Sequence, residues 1–258
     1  MAENITPFNY DTPFTPARPR KKRKNKPGLH ATTNQTQPSE ALHRMRQYLL
    51  QGDWMLECKQ LLRESVSLLQ ASSPEVLCLG LGSPASSRDA RAQLAFLLEA
   101  CDEMSLDYSK VSAYDPVFTP EDQQLLDDLE VQRLTENRGA AYPFDTPTIV
   151  FMPHCDLQLY ENLLRENWSR ERLPNLLLIA NRLSEYLDNH PSHKFSADFP
   201  CISQLAPLIS SHPLPQCPTQ TTAFNNIALQ YIPSGSLETL GSGFWDLPRL
   251  AGGAETKT

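Results

Sequence analysis

A change of rhythm at Pro74 constrains the fold of this chain more than any other feature. Downstream of it, short apolar runs alternate with amphipathic segments. "VLCLGLG" is followed by "RDARAQLAFLLEACDEM", "KVSAYDP" by "TPEDQQLLDDL", "TIVFMPHC" by "DLQLYENLLRENW", and "NLLLIAN" by "RLSEYLDN". The first member of each pair is too short for a helix, and most read as continuous apolar runs instead of strict alternation. That pattern belongs to strands covered on both faces, and so to a parallel sheet between helix layers.

Strand alternating with helix predicts an α/β fold, a Rossmann-like three-layer sandwich with a mostly parallel sheet, over residues 74–233. "EVQRLTEN" is expected to add a third strand, "FPCISQLAPLIS" a helix and "NIALQYIP" a closing strand. Residues 39–73 carry a helical period instead, through Leu42, Met45, Leu49, Met55, Cys58, Leu61, Leu62, Val66 and Leu69. Gly52-Asp53 should break them into two helices packing on the core, with Asp53 available as a cap. Residues 234–258, "SGSLETLGSGFWDLPRLAGGAETKT", are Gly- and Ser-rich and read as a flexible tail.

Residues 1–38 have a different composition, rich in Pro, Thr, Asn and Gln, and are expected to be disordered. They include Arg18, Arg20, Lys21, Lys22, Arg23, Lys24 and Lys26, a candidate nuclear-import segment and a possible weak contact for nucleic acid. Seven basic residues against Glu3 and Asp11 give residues 1–30 a charge of +5; the formal total of −7 then leaves −12 on the rest. An acidic body of that kind repels nucleic acid. No run approaches the roughly 18 apolar residues of a spanning helix, so no membrane contact is expected. The six cysteines are scattered with no CxxC pair and read as reduced thiols of an intracellular protein, cytoplasmic and nuclear.

The chemistry-bearing residues collect at the carboxyl ends of the expected strands. In "GLGSPASSRDA", Gly80 and Gly82 allow close backbone approach, and Ser83, Ser86 or Ser87 could cap the next helix. The dinucleotide fingerprint is incomplete at Ala85, Pro84 removes a donor, and no GxxxxGK[ST] is present. With Asp89 nearby, S-adenosylmethionine or another nucleotide-like ligand of low charge suits this loop better than a pyrophosphate. Asp115 ends the second strand, as a ribose ligand or as an Asp-Pro turn, with Thr119 capping the helix that opens at Pro120. His154 and Cys155 follow the fourth strand, too few for a metal site. Glu136, Asn137 and Asn181 complete a hypothetical pocket that has no catalytic triad and no paired carboxylates.

Read in order, "GLGS" with "ARAQLAFLLE", "YDPVFT", "LTEN", "TIVFMPHC", "LYENLLRENW" and "LLIAN" resemble the SRR-like (sensitivity to red light reduced-like) domain family, from about Pro74 to Pro233. The resemblance implies a regulatory protein acting through protein partners. The family is linked to circadian and light-response regulation and to control of haem and tetrapyrrole synthesis, with no established catalysis. The family's closing strand commonly carries Phe-Asn-Asp and a later His. Here it reads "FNNIALQYIP", with Asn226, Ile227 and Gln230 at the departing positions. The alternative from the strand ends alone is a methyltransferase-like enzyme with Gly80, Gly82 and Asp115 at its cofactor.

Overall fold

A computed structural model of the chain describes residues 37–69, 73–233 and 235–247. The basic segment Arg18–Lys26 lies outside them. Two helices open the described part, α1 (Pro38–Leu49) and α2 (Trp54–Ser67). They break at Gly52, whose φ of 82° suits glycine, although the Asp53 side chain makes no capping bond.

The α/β unit follows: β1 (Glu75–Leu79), α3 (Arg88–Glu103), β2 (Val111–Tyr114), α4 (Pro120–Asp128) and β3 (Gln132–Arg133). Next come β4 (Thr148–Met152), α5 (Leu157–Glu166), β5 (Leu176–Asn181), α6 (Leu183–Asn189), α7 (Ser192–Asp198) and α8 (Pro200–Leu205). It closes with β6 (Ser210–Pro213), α9 (Thr221–Phe224) and β7 (Ile227–Tyr231), and α10 (Ser242–Trp245) lies beyond. The sheet runs β3-β2-β1-β4-β5-β7-β6. β3 through β5 are parallel, and β7 is antiparallel to both β5 and β6.

Two expectations need amending. β3 pairs over only two exposed residues, because "EVQRLTEN" offers a single apolar pair and turns away after Leu134. β6 was not expected: "SSHP" has no apolar run, and its pairing rests on backbone bonds to β7. Both edges end in features that resist further pairing, a two-residue strand on one side and Pro213 on the other.

Alternate strand residues feed two cores. Val76, Cys78, Ala113, Ile149, Phe151, Leu177 and Ile179 face α1 to α4 and α9. Leu77, Leu79, Val150, Met152, Leu176, Leu178 and Ala180 face α5 to α8. That is the three-layer arrangement. The N-terminal helices are also held by charge. Buried Glu99 of α3 accepts from Arg46 Nε at 2.9 Å and Lys59 Nζ at 3.0 Å, while Arg46 reaches Asp102 and Arg63 reaches Glu103.

The tail expected from residue 234 does not begin there. Trp168 Nε1 donates to the Phe244 carbonyl at 2.9 Å and stacks on its ring at 4.9 Å. Arg170 donates to the carbonyls of Leu237 and Leu240 and sits 5.2 Å over Trp245. Residues 235–247 therefore dock through aromatic rings, which outweigh the local Gly and Ser content.

Candidate functional site

Neighbouring strands β1 and β4 send their chains to opposite sides, which makes the carboxyl edge between them the switch point where open α/β sheets bind ligands. The residues singled out in the sequence meet here in two groups. The first is the β1 turn. Gly80 and Gly82 have φ of 68° and 76°, in the left-handed region that glycine tolerates. A Cβ on Gly80 would lie 2.3 Å from Cys155 Sγ, so the Cys155 thiol fills the notch that the glycine leaves.

Two amide groups of this turn are already occupied by carboxylates. Gly82 N–H donates to Asp115 Oδ2 at 2.7 Å and Ala85 N–H to Asp122 Oδ1 at 2.7 Å. Asp115 also accepts from Val117 N–H at 2.9 Å, as the Asp-Pro turn reading expects. The helix cap is Ser87, which accepts from Ala90 N–H; Asp89 pairs instead with Thr222 Oγ1 at 3.0 Å. Arg91 clamps the turn from behind through the carbonyls of Pro84 and Ala85. Thr119 caps α4 in a full capping box with Asp122. Burial pushes the Asp122 carboxyl up, but bonds from Ala85, Thr119 and Ser83 outweigh it, and its pKa is lowered. Two carboxylates of the chain thus stand where a ligand's anionic group would bind.

The second group surrounds the ends of β4, β5 and β7. His154 adopts a left-handed φ of 54°, and its N–H donates to Asn181 Oδ1 at 2.7 Å. Its Nε2 lies 3.2 Å from the Ala223 carbonyl, and its Nδ1 lies 3.3 Å from Asn181 Nδ2. A carbonyl can only accept, so these contacts select the neutral tautomer with the proton on Nε2. Tyr160, fully buried, donates to the Met152 carbonyl at 2.7 Å and receives Cys155 N–H at 3.3 Å. Burial first, then Asp115 and Asp156, push the Cys155 thiol up to about 12, so it is protonated at neutral pH and is a poor nucleophile.

Gln230, at a position where the chain departs from the resemblance, is buried between β7 and β5. It accepts from Leu183 N–H at 2.9 Å and donates to the Asn181 carbonyl at 3.1 Å. Asn226 precedes β7 with a left-handed φ of 58°, and its Oδ1 is buried with no partner among the described residues. Continuing the β5–β7 register sets Asn226 opposite Arg182, whose N–H donates to the Asn226 carbonyl at 3.1 Å. Arg182 Nε likewise is buried with no partner among the described residues, while its terminal nitrogen pairs with Glu185.

Gly80, Gly82, Ser83 and Asp115 therefore share one group, and His154, Cys155 and Asn181 another, with the Cys155 thiol touching both. Glu136 and Asn137 are exposed and bond locally, to Arg138 and to Gly139 N–H. Tyr160, Asp122, Arg91 and Gln93 were missed. Tyr160 and Gln93 sit in apolar helix faces and read as core, while Asp122 reads only as a helix-start acid. Among the described residues no three His, Cys, Asp or Glu side chains gather as metal ligands. The clefts of about 410, 190 and 240 Å³ lie elsewhere: beside Arg170, between Pro38 and α4, and at the amino ends of β1 and β4. Among the described residues no helix is long and apolar enough to cross a membrane.

Comparison with known proteins covers both groups. A family model described as the SRR1 domain matches residues 58–231, starting inside α2, sixteen residues before Pro74. An SRR1-like protein of Mus musculus is 34% identical over 141 residues, 54% of this chain and 57% of the relative. An SRR1-like protein of Drosophila melanogaster is 25% identical over 189 residues, 73% and 66% of the two chains. The protein SENSITIVITY TO RED LIGHT REDUCED 1 of Arabidopsis thaliana is 31% identical over 112 residues, 43% and 41% of the two. The matched stretches thus span between about two fifths and two thirds of these relatives.

Proposed function

Because the chain belongs to the SRR1 domain family, we propose that it is a regulatory protein of light or clock responses that works by binding protein partners. The plant relative's name carries the light-response theme. The observation that favours binding over catalysis is His154, whose main-chain N–H and both ring nitrogens are engaged by Asn181 and the Ala223 carbonyl. A group so fixed positions a surface better than it moves protons. Control of haem synthesis, and entry to the nucleus through Arg18–Lys26 from the cytoplasm, extend the same reading.

Complementation tests it. Expressed in Arabidopsis lacking SENSITIVITY TO RED LIGHT REDUCED 1, this chain should restore the red-light response. Accumulated protein without restoration would overturn the proposal. A fluorescent fusion lacking residues 18–26 should stay in the cytoplasm; unchanged nuclear signal removes the import claim.

A second reading, a methyltransferase-like cofactor site, is favoured by the left-handed Gly80 and Gly82 beside buried Asp115. S-adenosylmethionine at a hundred times its Kd would stabilise the protein by about 2.7 kcal/mol. A null thermal shift with S-adenosylmethionine, NAD, ATP and haem disposes of it.

A further inference from the structure

The connection from β6 to β7, Leu214–Asn226, is pinned at its ends where Leu214 N–H donates to the Ile227 carbonyl at 2.9 Å. A loop of this length with its ends close together packs as one compact unit. It is held from behind by two helices. Trp54 Nε1 of α2 donates to the Pro215 carbonyl at 2.8 Å, and the indole packs 4.8 Å from the Phe224 ring. Gln93 of α3 donates to the Ala223 carbonyl at 2.9 Å, and Asp89 takes the Thr222 hydroxyl. Burial, then Cys217 on the loop, push the Cys58 thiol of α2 up, a further mark of this contact. In front, the loop's one bond to the β4 end among the described residues is from His154 Nε2 to the Ala223 carbonyl.

Closure leaves polar groups unsatisfied. Gln220 Nε2 and Asn226 Oδ1 on the loop, and Nε of the Glu185-paired Arg182 beneath, are buried atoms without a partner among the described residues. Each disfavours the closed form, as does the left-handed Asn226. Burial of Leu214, Cys217, Ala223 and Phe224, with the Phe224 ring against Trp54 and Phe96, is what opposes them.

We infer that Leu214–Asn226 is a lid over the carboxyl ends of β4 and β5 and the amino end of β7, latched by Trp54. Trp54 lies upstream of the residues matched to the family, so the N-terminal helices regulate the binding edge. The inference deepens the binding role proposed above and rests on that edge being the binding face.

Hydrogen exchange on the full chain, read on peptides covering 215–226 and 148–152 at rising denaturant, tests the latch. In wild type the lid amides should exchange by local opening, with a shallower denaturant dependence than β4, which follows global unfolding. Trp54→Phe keeps a ring but loses the indole N–H, and should speed lid exchange roughly tenfold. Trp54→Ala should speed it roughly a hundredfold or more. The rate at which diethyl pyrocarbonate modifies His154 should rise with lid exchange in the Trp54→Phe protein. Lid amides that share the β4 denaturant dependence would overturn the inference. So would faster lid exchange with an unchanged His154 rate. Neither result depends on complementation in the plant, so the two proposals fail separately.

Discussion

The two halves of the sheet's carboxyl edge solve the same problem in opposite ways. Around β1 and β2 two amides that a nucleotide could use meet carboxylates of the chain, Gly82 on Asp115 and Ala85 on Asp122. Around β5 and β7 Arg182 pairs with Glu185, and Asn226 Oδ1 and Arg182 Nε are buried with no partner among the described residues. A fully bonded turn is rigid and specifies structure; a half-satisfied edge stores the means to change. The glycine loop that attracts attention in the sequence is therefore the structural half, and the less conspicuous Asn-rich half carries the proposed role.

Substitutions on the β1 side should be the most damaging. Asp122→Ala strands Ala85 N–H, Thr119 N–H and the Thr119 hydroxyl, and should cost about 4 kcal/mol in chemical unfolding. A cost below about 1 kcal/mol would mean the turn is not held this way. Gly80→Ala should cost about 3 kcal/mol from its left-handed φ and its collision with Cys155. Adding Cys155→Ala should recover the steric part and leave about 1 kcal/mol of backbone strain; simple additivity of the two changes would refute the notch. The lowered Asp122 pKa gives stability that is present above the ordinary carboxylate range of about 4 and lost as pH falls through the depressed value. An acid titration of Tm should accordingly be shallower in Asp122→Asn than in wild type.

The smallest effect is expected on the other half, with the opposite sign. Asn226→Gly relieves a left-handed φ and removes an unsatisfied carbonyl, and should stabilise by up to about 1 kcal/mol. A loss of stability there would place Asn226 among the structural residues and erase the contrast.

Much of this fold was legible because apolar runs and amphipathic stretches have different periods. β1, β2, β4, β5 and β7 fall where "VLCL", "VSAY", "TIVFM", "LLLIAN" and "IALQY" stand. The polar SSHP edge strand was invisible, since its pairing comes from the backbone of β7. The docking of residues 235–247 was hidden because Trp168 and Arg170, far away in sequence, supply the contacts. At the edge, residue types identified Asp115, His154 and Asn181, but not what they bond. Whether an aspartate contacts a ligand or an amide of its own chain depends on a neighbour 33 residues away, as with Gly82 and Asp115. Gly80 looked like a ligand-binding glycine, and its space is taken by Cys155, from a different strand end.

The central claim is that the β1 turn is sealed while the β6–β7 loop opens. Hydrogen exchange of the wild-type chain tests it most directly, comparing the Gly82 and Ala85 amides with those of Thr221–Asn226 across a denaturant series. The account predicts that Gly82 and Ala85 exchange only through global unfolding, with a steep denaturant dependence. Thr221–Asn226 should exchange faster and with a shallower denaturant dependence. Fast, denaturant-independent exchange at Gly82 and Ala85, with slow global exchange at Thr221–Asn226, would contradict it.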